Sequence, residues 1–133
     1  MIEQRIVSML AADATIAAAV GQRISPVILR QETALPALVY RRLASDPEYT
    51  LAGRAGWRPV TLQLVCWAPE YADARSLAEA VRKRFDGYSE TSDVGSIRFI
   101  SVADGADEYV IEIDAYGCVC NLTIEYDDEA ATL

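Results

Sequence analysis

Histidine and cysteine, two of the side chains that most often carry catalysis or bind metals, offer little chemistry in this sequence. Histidine is absent, which excludes Ser–His–Asp and Cys–His catalysis, HExxH zinc sites and any pH switch built on imidazole. Cys118 and Cys120 form a C-x-C pair and Cys66 stands alone, one thiol short of the four ligands of a usual structural zinc site. On a strand, Cys118 and Cys120 point to one face. The pattern therefore predicts core packing rather than metal binding or redox chemistry.

Acidic and glycine-rich segments do not form a recognisable site either. Phosphate-binding glycine loops of the P-loop or dinucleotide type are missing. Glu112 and Asp114 stand two residues apart and would share a strand face, as paired carboxylates for metal or acid–base chemistry do. Without companion ligands, such a pair is more typical of a solvated strand edge. We therefore predict no catalytic, metal-binding or cofactor-binding residue, and we expect a protein that is not an enzyme and needs no cofactor.

One stretch, residues 46–58, carries residue types suited to a protein interface. It is polar and contains glycine, which predicts a long loop or the tip of an extended hairpin. Aromatic, aliphatic and arginine side chains lie within it, namely Tyr49, Leu51, Arg54, Trp57 and Arg58. Tyr, Trp and Arg dominate interface hot spots, so this set is a candidate contact with another protein. The alternative is that Tyr49 and Trp57 fold back onto the sheet, and the sequence leaves both open.

Charge is divided unevenly along the chain. The net charge is −8, and residues 99–133 contain nine of the 20 acidic residues but none of the 12 basic ones. This acidic balance argues against sequence-independent nucleic-acid binding, which requires a basic face. Eleven of the basic residues are arginines, whose planar fork suits carboxylates. The arginine-rich part and the acidic part could therefore meet across a subunit boundary; alternatively, the acids form a solvated face that keeps the protein soluble.

Hydrophobic periodicity predicts the elements that position these residues. Apolar residues at helical spacing indicate a helical segment over residues 1–21, and a short extended segment follows over 23–29. A second helix begins near Pro69 and Glu70 and carries an apolar stripe from Tyr71 to Phe85. Alternation with a period of two predicts strands at 37–43, 60–67, 97–102 and 116–126, with 109–113 extending or pairing with the third of them.

The order of these elements predicts the fold class. Connections at 46–58 and 104–116 permit hairpins, so we expect an α+β domain whose largely antiparallel sheet has four to five strands, with the helices packed on one face. A chain of 133 residues fits a single domain over residues 1–133, with 127–133 as a loose tail. The longest apolar stretches are far shorter than the roughly 20 residues that span a membrane, so we expect no membrane association.

Several short motifs, taken in order, resemble one family of proteins. They are Ala11-Ala12-Asp13, Val20 to Ile24, Leu35-Pro36 leading into Val39-Tyr40, Asp46 to Tyr49, Val60 to Ala68, and the apolar stripe of the second helix. Together with the closing strand that ends at Tyr126, they resemble the tail completion, or tail terminator, proteins of long non-contractile-tailed bacteriophages and related prophages. The resemblance extends over nearly the whole chain, from about residue 2 to residue 126.

The resemblance implies a structural role in the virion tail, which is assembled in the cytoplasm of the bacterial host. Members of that family form a hexameric ring on the head-proximal end of the tail tube, where the ring ends tube polymerisation and meets the head–neck connector. The implied partners are further copies of the chain, the major tail tube protein and the connector protein, while DNA passes through without specific binding. Glu112 and Asp114 would then line the channel or face a neighbouring subunit, with arginines of residues 75–84 as partners of such acids.

Two other functions are compatible with the sequence. One is a head-side neck or joining protein, because small α+β ring formers serve both joints. The other is a small ligand-binding or regulatory domain, which would need convergent polar residues on an inward face. The predicted inward faces are mostly apolar, which favours the assembly protein.

Overall fold

Three helices and two groups of strands alternate along the chain. The structure is a computed structural model that describes residues 2–43, 49–50, 53–54, 58–90 and 96–127. The helices in these ranges are α1 (Ile2–Ala12), α2 (Ala14–Val20) and α3 (Tyr71–Phe85), and none of them is long and apolar enough to cross a membrane. The strands are β1 (Ile24–Pro26), β2 (Ala37–Arg42), β3 (Tyr49–Thr50), β4 (Gly53–Arg54), β5 (Arg58–Ala68), β6 (Ser96–Asp104), β7 (Glu108–Val110) and β8 (Ala115–Asp127). Asp127, predicted as the start of a loose tail, thus ends β8, and residues 128–133 lie outside the described ranges.

One large sheet has the strand order β1–β2–β5–β8–β6, and β7 pairs with the first residues of β8. β1 runs parallel to β2, and the pairs β2–β5, β5–β8, β6–β8 and β7–β8 are antiparallel. The strands on either side of the two predicted hairpin connections are therefore antiparallel neighbours. The predicted α+β class with a largely antiparallel sheet is confirmed.

The prediction for residues 109–113 is wrong. β7 ends at Val110 and pairs with β8, instead of extending or pairing with β6. Residues 111–114 form a turn in which Asp114 has a left-handed backbone with a φ of 48°. Alternating isoleucine and acidic residues imitate a strand in the sequence. A tight return from β7 to β8 needs a turn instead, and Asp is one of the few residues that tolerate a positive φ.

The apolar stripe of the second predicted helix attaches α3 to the sheet. Its buried residues are Ala74, Leu77, Ala78, Val81 and Phe85, at spacings of three and four. Basic residues occupy the last turn of α3, where the helix dipole favours positive charge. α3 packs on β5, β8 and β6, so the arginines on its outer side lie near the acidic end of β6.

The N-terminal helical segment divides into two helices at Asp13. The Asp13 carboxylate accepts a hydrogen bond from the Ile16 N–H at 3.0 Å and thereby caps α2. Gly21 ends α2 with a φ of 59°, a conformation that glycine adopts without a side-chain penalty. α1 and α2 together contribute five buried residues to the core: Ile2, Ile6, Leu10, Ile16 and Val20.

Apolar side chains form a core on each face of the sheet. The larger core lies between the sheet and the helices and contains all three cysteines, which are free thiols. Cys118 and Cys120 share the face that the sequence predicts for them. The smaller core, on the opposite face, consists of Val39, Val65, Trp67, Ala115 and Val119. Leu29, Leu35 and Val110 cover it, so the irregular segment between β1 and β2 takes the place of a helix there.

Candidate protein–protein interface

The predicted contact segment lies between β2 and β5. β3 and β4 pair in antiparallel register, so this connection contains a hairpin tip as predicted. Arg58 is the first residue of β5, where its backbone pairs with β8. The described part of the chain does not include Leu51 and Trp57. It also does not include the side chains of Tyr49, Arg54 and Arg58. Whether this set contacts another protein stays a prediction.

Two carboxylates of the acidic segment are paired with arginines of α3 in the same chain. Arg82 Nη2 lies 2.9 Å from Asp104 Oδ1, and Arg75 Nη1 lies 3.6 Å from Asp107 Oδ1. The arginines of residues 75–84 were expected to meet such acids across a subunit boundary. The packing of α3 beside β6 and β8 supplies them within the chain instead.

Asp107 also accepts a hydrogen bond from the Tyr71 hydroxyl. This bond, assisted by Arg75, lowers the pKa of the Asp107 carboxyl below its usual value. A carboxylate with a lowered pKa stabilises the fold at pH values above the ordinary Asp pKa, and this contribution is lost as pH falls through the lowered pKa. Asp107 and Tyr71 are exposed, so solvent screening keeps the effect small.

The other two acids singled out in the sequence lie on an exposed turn. Glu112 and Asp114 belong to the turn of residues 111–114 between β7 and β8. The prediction that they share a strand face is therefore wrong. The same turn exposes Ile111 to 75% and Ile113 to 44%. The Tyr109 hydroxyl donates to Asp114 Oδ1 at 2.7 Å, which ties the end of the turn to its beginning. Residues 111–114 are called the acidic turn below.

Packed tyrosine rings support the base of the acidic turn. The ring centroids of Tyr109 and Tyr116 lie 4.9 Å apart, and those of Tyr71 and Tyr116 lie 5.7 Å apart in an edge-on arrangement. Aromatic pairs of this kind contribute about 0.5–1.5 kcal/mol beyond the area they bury. Tyr71 was predicted to belong to the buried stripe of α3, but it is 45% exposed. It links the start of the helix to Asp107, just before β7, and to Tyr116 of β8.

A second exposed apolar surface follows β1. Val27 and Ile28 are 57% and 64% exposed. Val27 has a φ of 67°, a left-handed backbone that a β-branched residue rarely adopts and that costs on the order of 1–3 kcal/mol. Hydrogen bonds of 2.7 Å from the Val27 N–H to the Tyr40 carbonyl and from the Ile28 N–H to the Pro26 carbonyl hold this conformation.

Sequence reasoning missed this surface. Residues 27–29 form an apolar run directly after a proline, but only Leu29 packs on the smaller core. Arg30 and Arg41 are exposed beside the run, and Arg41 lines a cleft of about 170 Å³ together with Val27. Val27, Ile28, Arg30 and Arg41 are called the Val27 patch below. The sequence does contain a signal for this surface. Residues 27–29 are an apolar run too short for a strand or a helix, and Arg30 follows them directly.

Several backbone groups along β6 and β1, at the edges of the large sheet, already have partners. Residues 86–90 cover the β6 edge, where Glu90 and Ile97 exchange two hydrogen bonds of 2.8 Å. At the β1 edge, Pro26 has no N–H, and the Ile24 N–H donates to a carbonyl two residues earlier. Edges blunted in this way are less open to a strand from another chain. This favours contacts through side-chain surfaces.

Two of the three buried thiols have a raised pKa. Burial raises the pKa of Cys118 to about 11, and a hydrogen bond with Cys120, together with burial, raises the pKa of Cys66. The same hydrogen bond lowers the pKa of Cys120, which is fully buried. A thiol that stays protonated at neutral pH is a weak nucleophile and a weak metal ligand. Within the described ranges no three ligand-type side chains lie close enough to hold a metal ion.

A groove of about 610 Å³ lies between the start of α2 and α3. Seven of its eight lining residues are polar or charged, and two of them form an ion pair, with Arg75 Nη2 3.1 Å from Glu79 Oε1. In the part of the chain that the structure describes, no polar or charged residue is buried. The polar side chains of the groove are therefore solvated, unlike the few buried polar groups in the mostly apolar lining of a typical small-ligand site.

Comparison with known proteins gives a family and a likeness to solved structures. The family described as "Tail completion protein gp17" matches residues 4–124. Among solved structures, a chain from "Virion of native gene transfer agent (GTA) particle" has a TM-score of 0.65 and 17% sequence identity, and the likeness covers 92% of this chain and 91% of that one. At this identity the likeness concerns the fold. No curated protein matches the chain.

Proposed function

The chain belongs to the tail completion protein gp17 family, and from this premise we propose that it forms a hexameric ring on the head-proximal end of a phage tail tube. There the ring ends tube polymerisation and joins the tail to the head–neck connector. The family match over residues 4–124 carries the proposal. The family consists of structural tail proteins, so the role of this chain is structural and tail-related.

The surface described above supports assembly through side chains. Blunted sheet edges disfavour open-ended strand addition, whereas exposed apolar side chains stand on the acidic turn and on the Val27 patch. A closed ring repeats one contact between two different surfaces. We take the whole chain, residues 1–133, as one ring-forming domain that is assembled in the host cytoplasm and carried in the virion tail.

We assign contact with the tail tube to the hairpin between β2 and β5. Its residues Tyr49, Leu51, Arg54, Trp57 and Arg58 include the types that dominate interface hot spots, and hairpin tips are common binding elements because a rigid sheet positions them. Trp57→Ala and Arg54→Ala should impair tail capping and yield overlong tails while the chain stays folded. Normal tail lengths and infectious yields for both variants would reduce the hairpin to a connector.

The proposed function is tested by adding the purified chain to tail tubes. Electron microscopy should show a six-fold ring at one end of each tube, and light scattering of the free chain at high concentration should show monomers or hexamers. Tubes assembled without the chain should vary widely in length. A stable two-fold dimer that leaves tubes uncapped would contradict the proposal, and binding to isolated head connectors alone would favour the head-side joining protein.

A further inference from the structure

We propose that the acidic turn of one copy of this chain packs on the Val27 patch of the next copy, and that this contact is repeated around the ring. The inference rests on the proposed function, because it names the two surfaces through which ring subunits meet. It commits both surfaces to one occupant, a second copy of the same chain.

The two surfaces are formed by different parts of the sheet. The acidic turn follows β7, which pairs with β8, whereas the Val27 patch follows β1, the strand at the far end of the order β1–β2–β5–β8. Val27 and Arg41 line a cleft that also contains Glu108 of β7. A contact between two different surfaces is heterologous, and only such contacts can be repeated head to tail into a ring.

Apolar exposure is matched on the two surfaces. Ile111 and Ile28 are the most exposed large apolar side chains of the described residues, at 75% and 64%. Ile113 and Val27 stand beside them, at 44% and 57%. Packing these four side chains together would remove from water the apolar area that a single copy leaves exposed.

Charge is complementary on the two surfaces. The acidic turn carries Glu112 and Asp114, whereas the Val27 patch carries Arg30 and Arg41. Neither arginine forms an ion pair among the described residues. Two acids lie near them: Glu32 in the segment between β1 and β2, and Glu108 of β7, which lines the same cleft as Arg41. The acids of the acidic turn and the arginines of the Val27 patch attract each other, which favours the head-to-tail contact over a contact of either surface with itself.

Backbone strain gives an independent reason to assign a contact to Val27. Asn or Gly would adopt the φ of 67° at lower cost. A β-branched apolar residue that is both strained and 57% exposed contributes little to the stability of its own chain. Positions where local preference is overruled in this way are typical of functional surfaces. At Val27, we assign this role to an apolar contact with the neighbouring copy.

Disulfide cross-linking on capped tail tubes tests the contact directly. The double variant Ile28→Cys/Ile111→Cys, oxidised in the ring, should give a ladder of linked oligomers up to six. Ile28→Cys alone and Ile111→Cys alone should give no ladder, since the native thiols are buried. An equal mixture of the two single variants should give linked dimers and nothing larger, because each subunit then holds one new thiol.

Substitution provides the second readout. Ile111→Ser with Ile113→Ser should raise the concentration needed for half-maximal ring formation at least tenfold. Phe99→Ser removes a side chain of similar exposure (49%) elsewhere on the sheet and should leave ring formation unchanged. Six-fold rings that form normally but give no cross-links, and tolerate the Ser variants, would overturn this contact and leave the proposed function intact. Absence of rings from the wild-type chain on tail tubes would overturn both.

Discussion

Val27 is a residue whose backbone conformation opposes its side chain. Its φ of 67° is one that Asn tolerates much better than a β-branched residue. We expect Val27→Asn to raise the free energy of unfolding of the isolated chain by up to about 1 kcal/mol, as measured by urea denaturation. Ile28→Asn, at a neighbouring exposed position without a positive φ, is the control and should leave this free energy unchanged. If Val27→Asn lowers the free energy of unfolding while Ile28→Asn does not, the backbone of Val27 is not strained.

The cysteines illustrate how burial decides the role of a reactive residue type. All three are buried in the larger core, so Cys66→Ala, Cys118→Ala and Cys120→Ala should each cost on the order of 1 kcal/mol of unfolding free energy. With the pKa of Cys118 at about 11, alkylation of Cys118 at pH 8 should be roughly a hundredfold slower in the folded chain than in the unfolded chain. Stoichiometric zinc that disappears in Cys118→Ala/Cys120→Ala, together with ring formation, would contradict the packing role.

At the scale of elements, helix caps allow a matched comparison within one chain. Asp13 and Glu70 both occupy N-cap positions, but only Asp13 makes a side-chain hydrogen bond to the backbone of its helix. Asp13→Ala should therefore cost about 1 kcal/mol of unfolding free energy, while Glu70→Ala should cost markedly less. Thermal or urea unfolding of the two variants checks this difference. Equal losses would mean that the hydrogen bond of Asp13 contributes nothing.

Sheet edges show how elements protect one another. The 86–90 segment leaves α3 and lies along β6, where the Asp86 carboxylate accepts a hydrogen bond from the Val102 N–H at 3.1 Å. Arg82 Nη1 donates to the Val102 carbonyl at 3.2 Å. The end of the helix therefore satisfies backbone groups that an edge strand would otherwise expose.

At the scale of the whole molecule, acidic residues of the C-terminal part lie in two different environments. Asp104 and Asp107 pair with α3, while Glu112 and Asp114 stand on the acidic turn. We expect Glu112→Lys/Asp114→Lys to weaken the ring, and the effect should diminish at high salt because charge interactions are then screened. Glu70→Lys, an exposed charge reversal outside both surfaces, is the control.

Electron microscopy of tubes across a salt series measures that effect. Rings of unchanged stability combined with altered DNA delivery would instead place these two acids on the channel wall, where a negative surface lets DNA pass without binding. Unchanged ring stability and unchanged infectivity would leave the acidic turn as a solubilising surface.

The sequence by itself determined the elements whose signal is local. The stripe of α3 and the alternation of β5 and β8 each depend on residues a few positions apart. Helical and strand periods can be counted within such a window, and they led to the α+β class and to its largely antiparallel sheet. The ordered motifs along those same elements carried the resemblance that the family match bears out.

Only the tertiary structure decided which polar and apolar residues face solvent. The pairing of Arg82 with Asp104 joins residues 22 positions apart, and no local pattern encodes which of several acids a helix arginine meets. Residues 111–114 alternate like a strand, but the return of β7 onto β8 makes them a turn and exposes both isoleucines. Val27 is apolar and follows a strand, but Leu29 fills the smaller core in its place. Burial depends on what the rest of the chain places opposite a residue, and for these residues the opposing surface comes from distant parts of the sequence.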